Sequence, residues 1–436
     1  MWFDEAVIYQ IYPLGLCGAP RQNCGEESHN ILKVLDWVEH IRSLGAATVL
    51  FNPLFLSDAH GYDTRDYTLV DNRLGTNEDF KKVCQAIHDA GMKVMLDGVF
   101  NHVGRGFWAF RDVQEKKWDS PYKDWFNVHF DGDSPYQDGF WYEGWEGHYE
   151  LVKLNLKNPA VVDHHFSAIR KWVEEFDIDG LRLDVAYCLD PDYLRQLRQF
   201  TGSLKPDFVL FGETLHGDYN RWMNDEMCHS VTNYECYKGL YSSFNSMNMF
   251  EIGHSLARQF GPEPWTLYKG KHLVCFVDNH DVSRIASILS NQEHLAPIYG
   301  LMFGMPGVPA VYYGSEWGIK GDKSQGDWSL RPQLDKPEEN DLTRWIAQLA
   351  QAHKKSEALC YGDYQNIMLN NKQIIFQRAT QNQRVLVAIN ADSEPYTAHF
   401  NAGCGLAVDL ITGNQHDFGG GSLLPPYSVQ YWLCER

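Results

Sequence analysis

The sequence predicts an α/β chain built mainly on a (β/α)8 barrel, with an inserted segment after strand three and an antiparallel β-sandwich at the C-terminal end. Three observations predict it. Between residues 7 and 314, eight short apolar runs alternate with stretches of helical periodicity, the rhythm of parallel strands joined by right-handed crossovers. Four of the runs close on acids, amides or histidines, and the carboxyl ends of barrel strands are where such folds place their chemistry. Beyond about Lys355 the hydrophobic period becomes two, as in strands that face a core on one side.

Residues 7–13 read as strand one. Ile31, Leu35, Val38, Ile41 and Leu44 then recur at helical spacing, and Gly45 stops that helix. Residues 48–53 form strand two. Thr76 with Asp79 makes a capping box that opens a helix through Phe80, Val83 and Ile87, ended by Gly91. Strand three follows from Val94 and carries Asp97, with Asn101 and His102 just beyond. Asn158 caps the next helix and Pro159 takes its first position; Val162, Phe166, Ile169, Val173 and Phe176 line one face. Strand four covers 179–186, and a helix from Pro191 through Leu194 and Leu197 leads to strand five at 208–214. Residues 230–234, 273–281 and 309–314 complete the eight. Past the barrel, 373–378, 384–389 and 428–433 alternate as antiparallel strands. These readings place the barrel over 1–103 and 154–355, the insert over 104–153, and a β domain over 356–436.

The insert holds 14 aromatic residues in 50, twice the 14% of the whole chain. A loop that long inside a compact domain is usually functional, and flat rings suit stacking on sugars. For any single one of Trp108, Trp118, Trp125, Trp141 and Trp145, packing within a small irregular core is the simpler explanation.

A chain of 436 residues is too long for one simple core. Its net charge of −19 disfavours nucleic acid and anionic membrane surfaces and suits a neutral polyol. The N-terminus has neither a basic nor an apolar leader region, and no apolar run approaches a membrane span. The 10 cysteines are scattered without metal-type spacing, as reduced thiols are. A cytoplasmic location is the expectation.

Strand four ends in Asp184, and Arg182, two residues earlier, points the same way. A cation beside a carboxylate favours its ionised form, although a structural ion pair at a strand end explains this stretch equally well. Three further strands break the tie by ending alike. The four stretches DGVFNH (97–102), GLRLDVA (180–186), GETLH (212–216) and FVDNHD (276–281), in that order, resemble the signature regions of the α-amylase family of retaining glycoside hydrolases. The resemblance runs from about Ala6 to the C-terminus and implies a TIM barrel carrying an inserted domain and a C-terminal β domain.

Retaining cleavage needs a carboxylate nucleophile and a carboxylic acid roughly 5–5.5 Å apart, which neighbouring strand ends can supply. The motif match implies Asp184 as nucleophile, Glu213 as acid/base and Asp281 as stabiliser of the oxocarbenium-like transition state. Arg182 is expected to keep Asp184 charged, and the apolar run before Glu213 to raise its pKa. The same match puts His102, His280 and Arg182 among the substrate-binding residues and Tyr62 as a stacking ring. It also implies that Asp327 and Arg331 grip the next glucose outward, although a bare i,i+4 pair is more often a surface ion pair. Asp97 and Asn101 would organise the site.

Many family members place a lysine and a histidine three and four residues after the nucleophile, and the histidine carbonyl helps hold calcium. Here Tyr187 and Cys188 stand there, so no metal ligand is assigned, no cofactor is expected to be required, and calcium stays an open question. The run 131–134, Asp-Gly-Asp-Ser, reads as a solvated turn before a cation loop. The ending Asp-Val-Ala resembles the cyclomaltodextrinase and neopullulanase branch. Those enzymes carry an extra N-terminal β domain; this sequence starts almost at strand one, so the oligomeric state is open. The expectation is a hydrolase of α-1,4-glucosidic bonds in maltodextrins or related α-glucooligosaccharides, working through a covalent glycosyl-enzyme. An α-glucan transglycosylase or glucoside isomerase with the same three acids is the alternative. A non-catalytic amylase-like binding protein is remote, because such relatives lose those acids.

Overall fold

A computed structural model describes residues 1–434. Eight strands, β1 (Ile8–Ile11), β2 (Thr48–Phe51), β3 (Lys93–Gly98), β4 (Gly180–Leu183), β5 (Val209–Gly212), β6 (Ser230–Val231), β7 (Val274–Cys275) and β8 (Val308–Tyr312), form one parallel sheet. Their order is β6–β5–β4–β3–β2–β1–β8–β7, and a parallel bridge between Thr232 and Val274 closes the ring. Strands covered on both faces are mainly apolar, and these are, apart from polar residues such as Gln10, Lys93, Asp97 and Arg182. Ile8, Leu50, Met95, Val209, Phe211, Val308 and Ala310 fill the barrel interior. Val94, Leu96, Leu181 and Leu210 face outward to the helical layer.

The caps work as the sequence implies. Thr76 accepts from the Asp79 N–H and Asp79 from the Thr76 N–H, opening α1 (Asn77–Asp89). Asn158 caps α2 (Pro159–Phe176), and Asp190 caps α3 (Pro191–Leu204). Several elements are shorter than their apolar runs suggest. The stretch from Asn30 to Trp37 is a 3-10 helix, and only Val38–Ser43 is α-helical. β6 stops at Val231 because Asn233 caps a helix beginning at Tyr234. β4 stops at Leu183, not Ala186, because Val185 turns into the left-handed region with φ 41° and ψ 48°.

Between β3 and β4 the chain makes the helix Trp108–Lys116 and a small antiparallel sheet in which His148–Lys153 pairs with His102–Gly104 and Gly144–Trp145. Phe110, Phe126, Phe140 and Tyr142 are its buried centre. Packing therefore accounts for most of the aromatic excess.

The C-terminal part is a six-stranded antiparallel sheet of β9 (Asp363–Leu369), β10 (Gln373–Ala379), β11 (Arg384–Asn390), β12 (Leu406–Asp409), β13 (Gln415–Asp417) and β14 (Val429–Cys434). A two-stranded ribbon, Tyr396–Ala398 with Ser422–Leu424, covers one face through Leu386, Ala388, Leu424 and Trp432. The other face meets α4 (Leu295–Gly304) closely. A Cβ on Gly300 would lie 2.5 Å from Val429 Cγ2, and one on Gly304 would lie 2.8 Å from Val387 Cγ1. Among the described residues, no helix is long and apolar enough to cross a membrane.

Candidate active site

Parallel register brings the chemistry together. Arg182 of β4 lies beside Asp97 of β3 and Phe211 of β5, and Leu183 lies between Gly98 and Gly212. The next residue on β4 is Asp184 and the next on β5 is Glu213. The ladder holds both at one level, through Asp184 N–H to Gly98 O at 3.1 Å and Glu213 N–H to Leu183 O at 2.9 Å.

One buried guanidinium serves three carboxylates. Arg182 Nη1 donates to Asp97 Oδ1 and Oδ2 at 2.7 and 2.8 Å and to Asp184 Oδ1 at 3.3 Å, while Nη2 lies 3.2 Å from Glu213 Oε1. Asp97 Oδ2 also accepts from the Tyr62 hydroxyl at 2.9 Å and Asn52 Nδ2 at 3.1 Å. The best contacts of Arg182 therefore go to Asp97. Burial, followed by repulsion from Glu213, lifts the Asp184 carboxyl well above the usual carboxylate range despite Arg182. Burial also lifts Glu213, against the pull of Arg182 and the Val185 N–H. Arg182 favours the charged form of Asp184, as its sign requires, but burial and the Glu213 charge outweigh it, because the shortest contacts of the guanidinium go to Asp97.

Val185 links the two acids. Its N–H donates to Glu213 Oε2 at 2.9 Å from a left-handed conformation that costs a β-branched residue about 1–3 kcal/mol. The strain turns Asp184 out of the strand and aims the next amide at Glu213.

Asp281 sits on the other side. Arg331 Nη2 approaches it at 2.8 Å and His280 Nε2 at 3.0 Å. Burial would raise its pKa, but the charges and hydrogen bonds of His280 and Arg331 hold it far below the usual carboxylate range. Gln10 Nε2 lies 2.9 Å from His280 Nδ1, and the ring's Nε2 faces Asp281 and the Tyr62 oxygen.

These groups floor a cavity of about 580 Å³. Of the predicted residues, Asp184, Glu213, Asp281, Tyr62, His102, Asp327 and Arg331 line it. His102 is 1% exposed with Nε2 unpaired and 3.8 Å from Asp184 Oδ2, and burial holds its pKa at about 3, so the ring is neutral. Arg182 and His280, expected to touch substrate, are not among the residues lining this cavity and border a small internal void, with their polar atoms meeting the acids, Gln10 and Tyr62. Asp327 meets Lys323 Nζ at 2.5 Å more closely than Arg331 at 3.6 Å.

Trp145, His148, Tyr187, Lys323 and Trp328 also line the cavity, and sequence reasoning assigned none of them to the site. Trp145 lay unmarked among the insert's aromatics, and of the five tryptophans singled out there it alone reaches the cavity. Tyr187 stood out only as a departure from a motif. Asp133, in the acidic run, accepts from the Ser134 and Gly139 N–H groups and forms a turn. Among the described residues, no group of three or more His, Cys, Asp or Glu side chains is arranged to hold a metal ion.

Residues 10–367 match the family model described as the alpha amylase catalytic domain. The cyclomaltodextrinase of Thermoanaerobacter pseudethanolicus is 26% identical over 432 residues, covering 92% of this chain and 72% of that protein. Neopullulanase 2 of Thermoactinomyces vulgaris is 29% identical over 453 residues, covering 95% and 74%. In three dimensions the chain superposes on the ligand-free cyclic α-maltosyl-(1→6)-maltose hydrolase of Arthrobacter globiformis with a TM-score of 0.84, at 26% identity and full coverage of both chains.

Proposed function

The chain belongs to the α-amylase family, and from that premise we propose that it is a retaining glycosidase cleaving α-1,4-glucosidic bonds in maltodextrins or related, including cyclic, α-glucooligosaccharides. The observation that carries the proposal is the convergence on one sugar-sized cavity of two acids that follow adjacent strands and a third from the stretch after β7, the first two tied to a single guanidinium. The relatives named for cyclomaltodextrin and cyclic maltosyl-maltose support the substrate class.

In the proposed reaction, Glu213 gives its proton to the glycosidic oxygen as Asp184 attacks the anomeric carbon from the opposite face. The leaving sugar departs as an alcohol and Asp184 becomes an ester. Glu213, now ionised, takes a proton from water, and the resulting hydroxide equivalent displaces Asp184. The raised Glu213 pKa suits the acid of this cycle, which needs Asp184 as the anion. Asp281, held charged by Arg331 and His280, would accept hydroxyl hydrogen bonds and offset the positive charge that develops on the sugar. The neutral His102 has an unpaired ring nitrogen for a hydroxyl. Ten unpaired thiols support a reducing, intracellular setting.

Digestion of maltodextrins, cyclodextrin and pullulan, followed by product analysis, tests the activity. Asp184→Asn or Glu213→Gln should each cut turnover by about 10²–10⁴ or more. Near-normal hydrolysis by Asp184→Asn would refute the assignment. A second reading, transfer to a sugar instead of water, is favoured by Trp145 and Tyr187, whose rings line the cavity beside the acids. Longer oligomers outpacing glucose and maltose at high maltotriose would support it.

A further inference from the structure

Three residues after Asp281 stands an arginine that is wholly buried and does not line the cavity. Arg284 Nη1 donates to Tyr313 O at 2.5 Å and to Ser315 Oγ at 2.9 Å, just past the end of β8. Its Nη2 donates to Leu330 O at 2.9 Å. The guanidinium lies over the Tyr312 ring, 4.0 Å from its centroid, and the Tyr312 hydroxyl donates to the same Leu330 O at 2.9 Å.

The main chain around Arg284 holds the other end of the segment that Leu330 closes. The Arg284 N–H donates to Gly321 O at 2.9 Å. Ser287 Oγ accepts from the Gly321 N–H at 2.9 Å, and Ser283 Oγ from the Lys323 N–H at 2.8 Å. One residue thus draws 321 and 330 together, with its backbone at one end and its side chain at the other. The neck so formed is narrow. A Cβ on Gly321 would lie 2.5 Å from Ser329 O and 3.0 Å from Arg284 Cγ, so only glycine permits that approach. The loop carries Lys323, Asp327 and Trp328 to the cavity wall. Directly after Leu330 comes Arg331, whose Nη2 reaches Asp281 at 2.8 Å and whose Nε donates to His280 O at 3.0 Å.

We propose that Arg284 is a positioning residue for this site, a role that rests on the glycosidase reading above. It touches no substrate. It closes the loop 321–330 and fixes the Leu330 carbonyl, so that the backbone of Arg331 stands where its guanidinium meets Asp281. Arg331 is a long side chain, and its reach depends on where its own backbone sits. Hydrogen bonds from a charged donor are the stronger kind, and Leu330 O receives one together with the Tyr312 hydroxyl. A lysine at 284 would keep the charge, but one ammonium cannot reproduce a fork that meets Tyr313 O, Ser315 Oγ and Leu330 O at once.

The test is a double-mutant cycle on the intact protein, with maltotriose hydrolysis measured per folded molecule. Arg284→Lys should lower kcat/KM roughly tenfold or more, because a displacement of about 1 Å at a group that orients the site is that costly. In an Arg331→Ala background the same substitution should change kcat/KM by less than about twofold, since its effect runs through the side chain already removed. A general loss of stability would not depend on Arg331 in this way. Should Arg284→Lys fail to fold, Gly321→Ala takes its place, because it forces the neck apart and leaves the guanidinium present. Hydrogen exchange at residues 321–331, followed by mass spectrometry, should quicken in either variant, and it needs no turnover. A wild type inactive on maltotriose, with variants that still loosen 321–331, would refute the proposed function and leave the loop closure standing. The proposal is overturned if the single variant matches the wild type, if the two losses multiply in the double variant, or if exchange at 321–331 is unchanged.

Discussion

Asp97→Asn tests the electrostatic organisation of the site without touching the cavity wall. The carboxylate is wholly buried and accepts two bonds from Arg182 Nη1, one from Tyr62 and one from Asn52. An amide keeps one accepting oxygen and turns two N–H groups toward donors, so the fork to Arg182 cannot survive intact. Charged hydrogen bonds contribute about 1.5–3 kcal/mol each, and breaking a buried ion pair from one side costs about 3–5 kcal/mol. We expect the variant to be destabilised by about 3–5 kcal/mol, read by urea unfolding followed through tryptophan fluorescence. A second, independent effect has a definite sign. The Asp97 charge helps raise the Asp184 pKa, so removing it lowers that pKa. Arg182, freed from Asp97, then turns its charge toward Asp184 and Glu213. The acidic limb of kcat/KM against maltotriose should move to lower pH, with kcat reduced because Tyr62 and Arg182 are no longer held. An unfolding free energy within about 1 kcal/mol of wild type, together with a superimposable pH profile, would sink the reasoning.

Arg331→Ala should lower kcat/KM by roughly a hundredfold, since it frees Asp281 to shift and to take up a proton; steady-state kinetics at several pH values checks this. Arg331→Lys should rescue little, because one ammonium cannot reproduce the contacts to Asp281, the His280 carbonyl at 3.0 Å and the Tyr12 ring at 4.6 Å. Away from the site, burial would raise the Asp179 pKa, but hydrogen bonds from His88 and the Val94 N–H and the charges of Lys205 and Lys93 hold it at about 2. A depressed carboxylate stabilises the fold above its unfolded value and loses that contribution as pH falls through its folded one. Asp179→Asn should therefore flatten the stability profile between about pH 3.8 and about 2, as seen by acid titration of unfolding. His102→Ala removes an unpaired buried nitrogen facing the cavity and should weaken kcat/KM about tenfold, and an unchanged value would take His102 out of the site.

Much of the barrel was legible because its signals are local. The Thr76–Asp79 box, the Asn158–Pro159 start and the apolar runs of β1 to β5 and β8 each lie within a few residues, and tertiary packing agreed with them. The runs at 230–234 and 273–281 were overread. Apolar composition there reflects burial around the Asn233 cap and the residues after Cys275, where the chain is buried without being strand. Of the insert's tryptophans, composition could not separate Trp145, which reaches the cavity, from Trp118, which is 67% exposed elsewhere.

The amino-acid sequence by itself determined the alternation of strand and helix and the placement of Asp184 and Glu213 at strand ends, because hydrophobic period and chain order are properties of neighbours. Only the tertiary structure decided that Arg182 answers first to Asp97, that Val185 is strained to serve Glu213, and that burial raises the pKa of both Asp184 and Glu213. Such outcomes depend on distances and burial among residues far apart in the chain, and electrostatic energy varies with both while composition records neither.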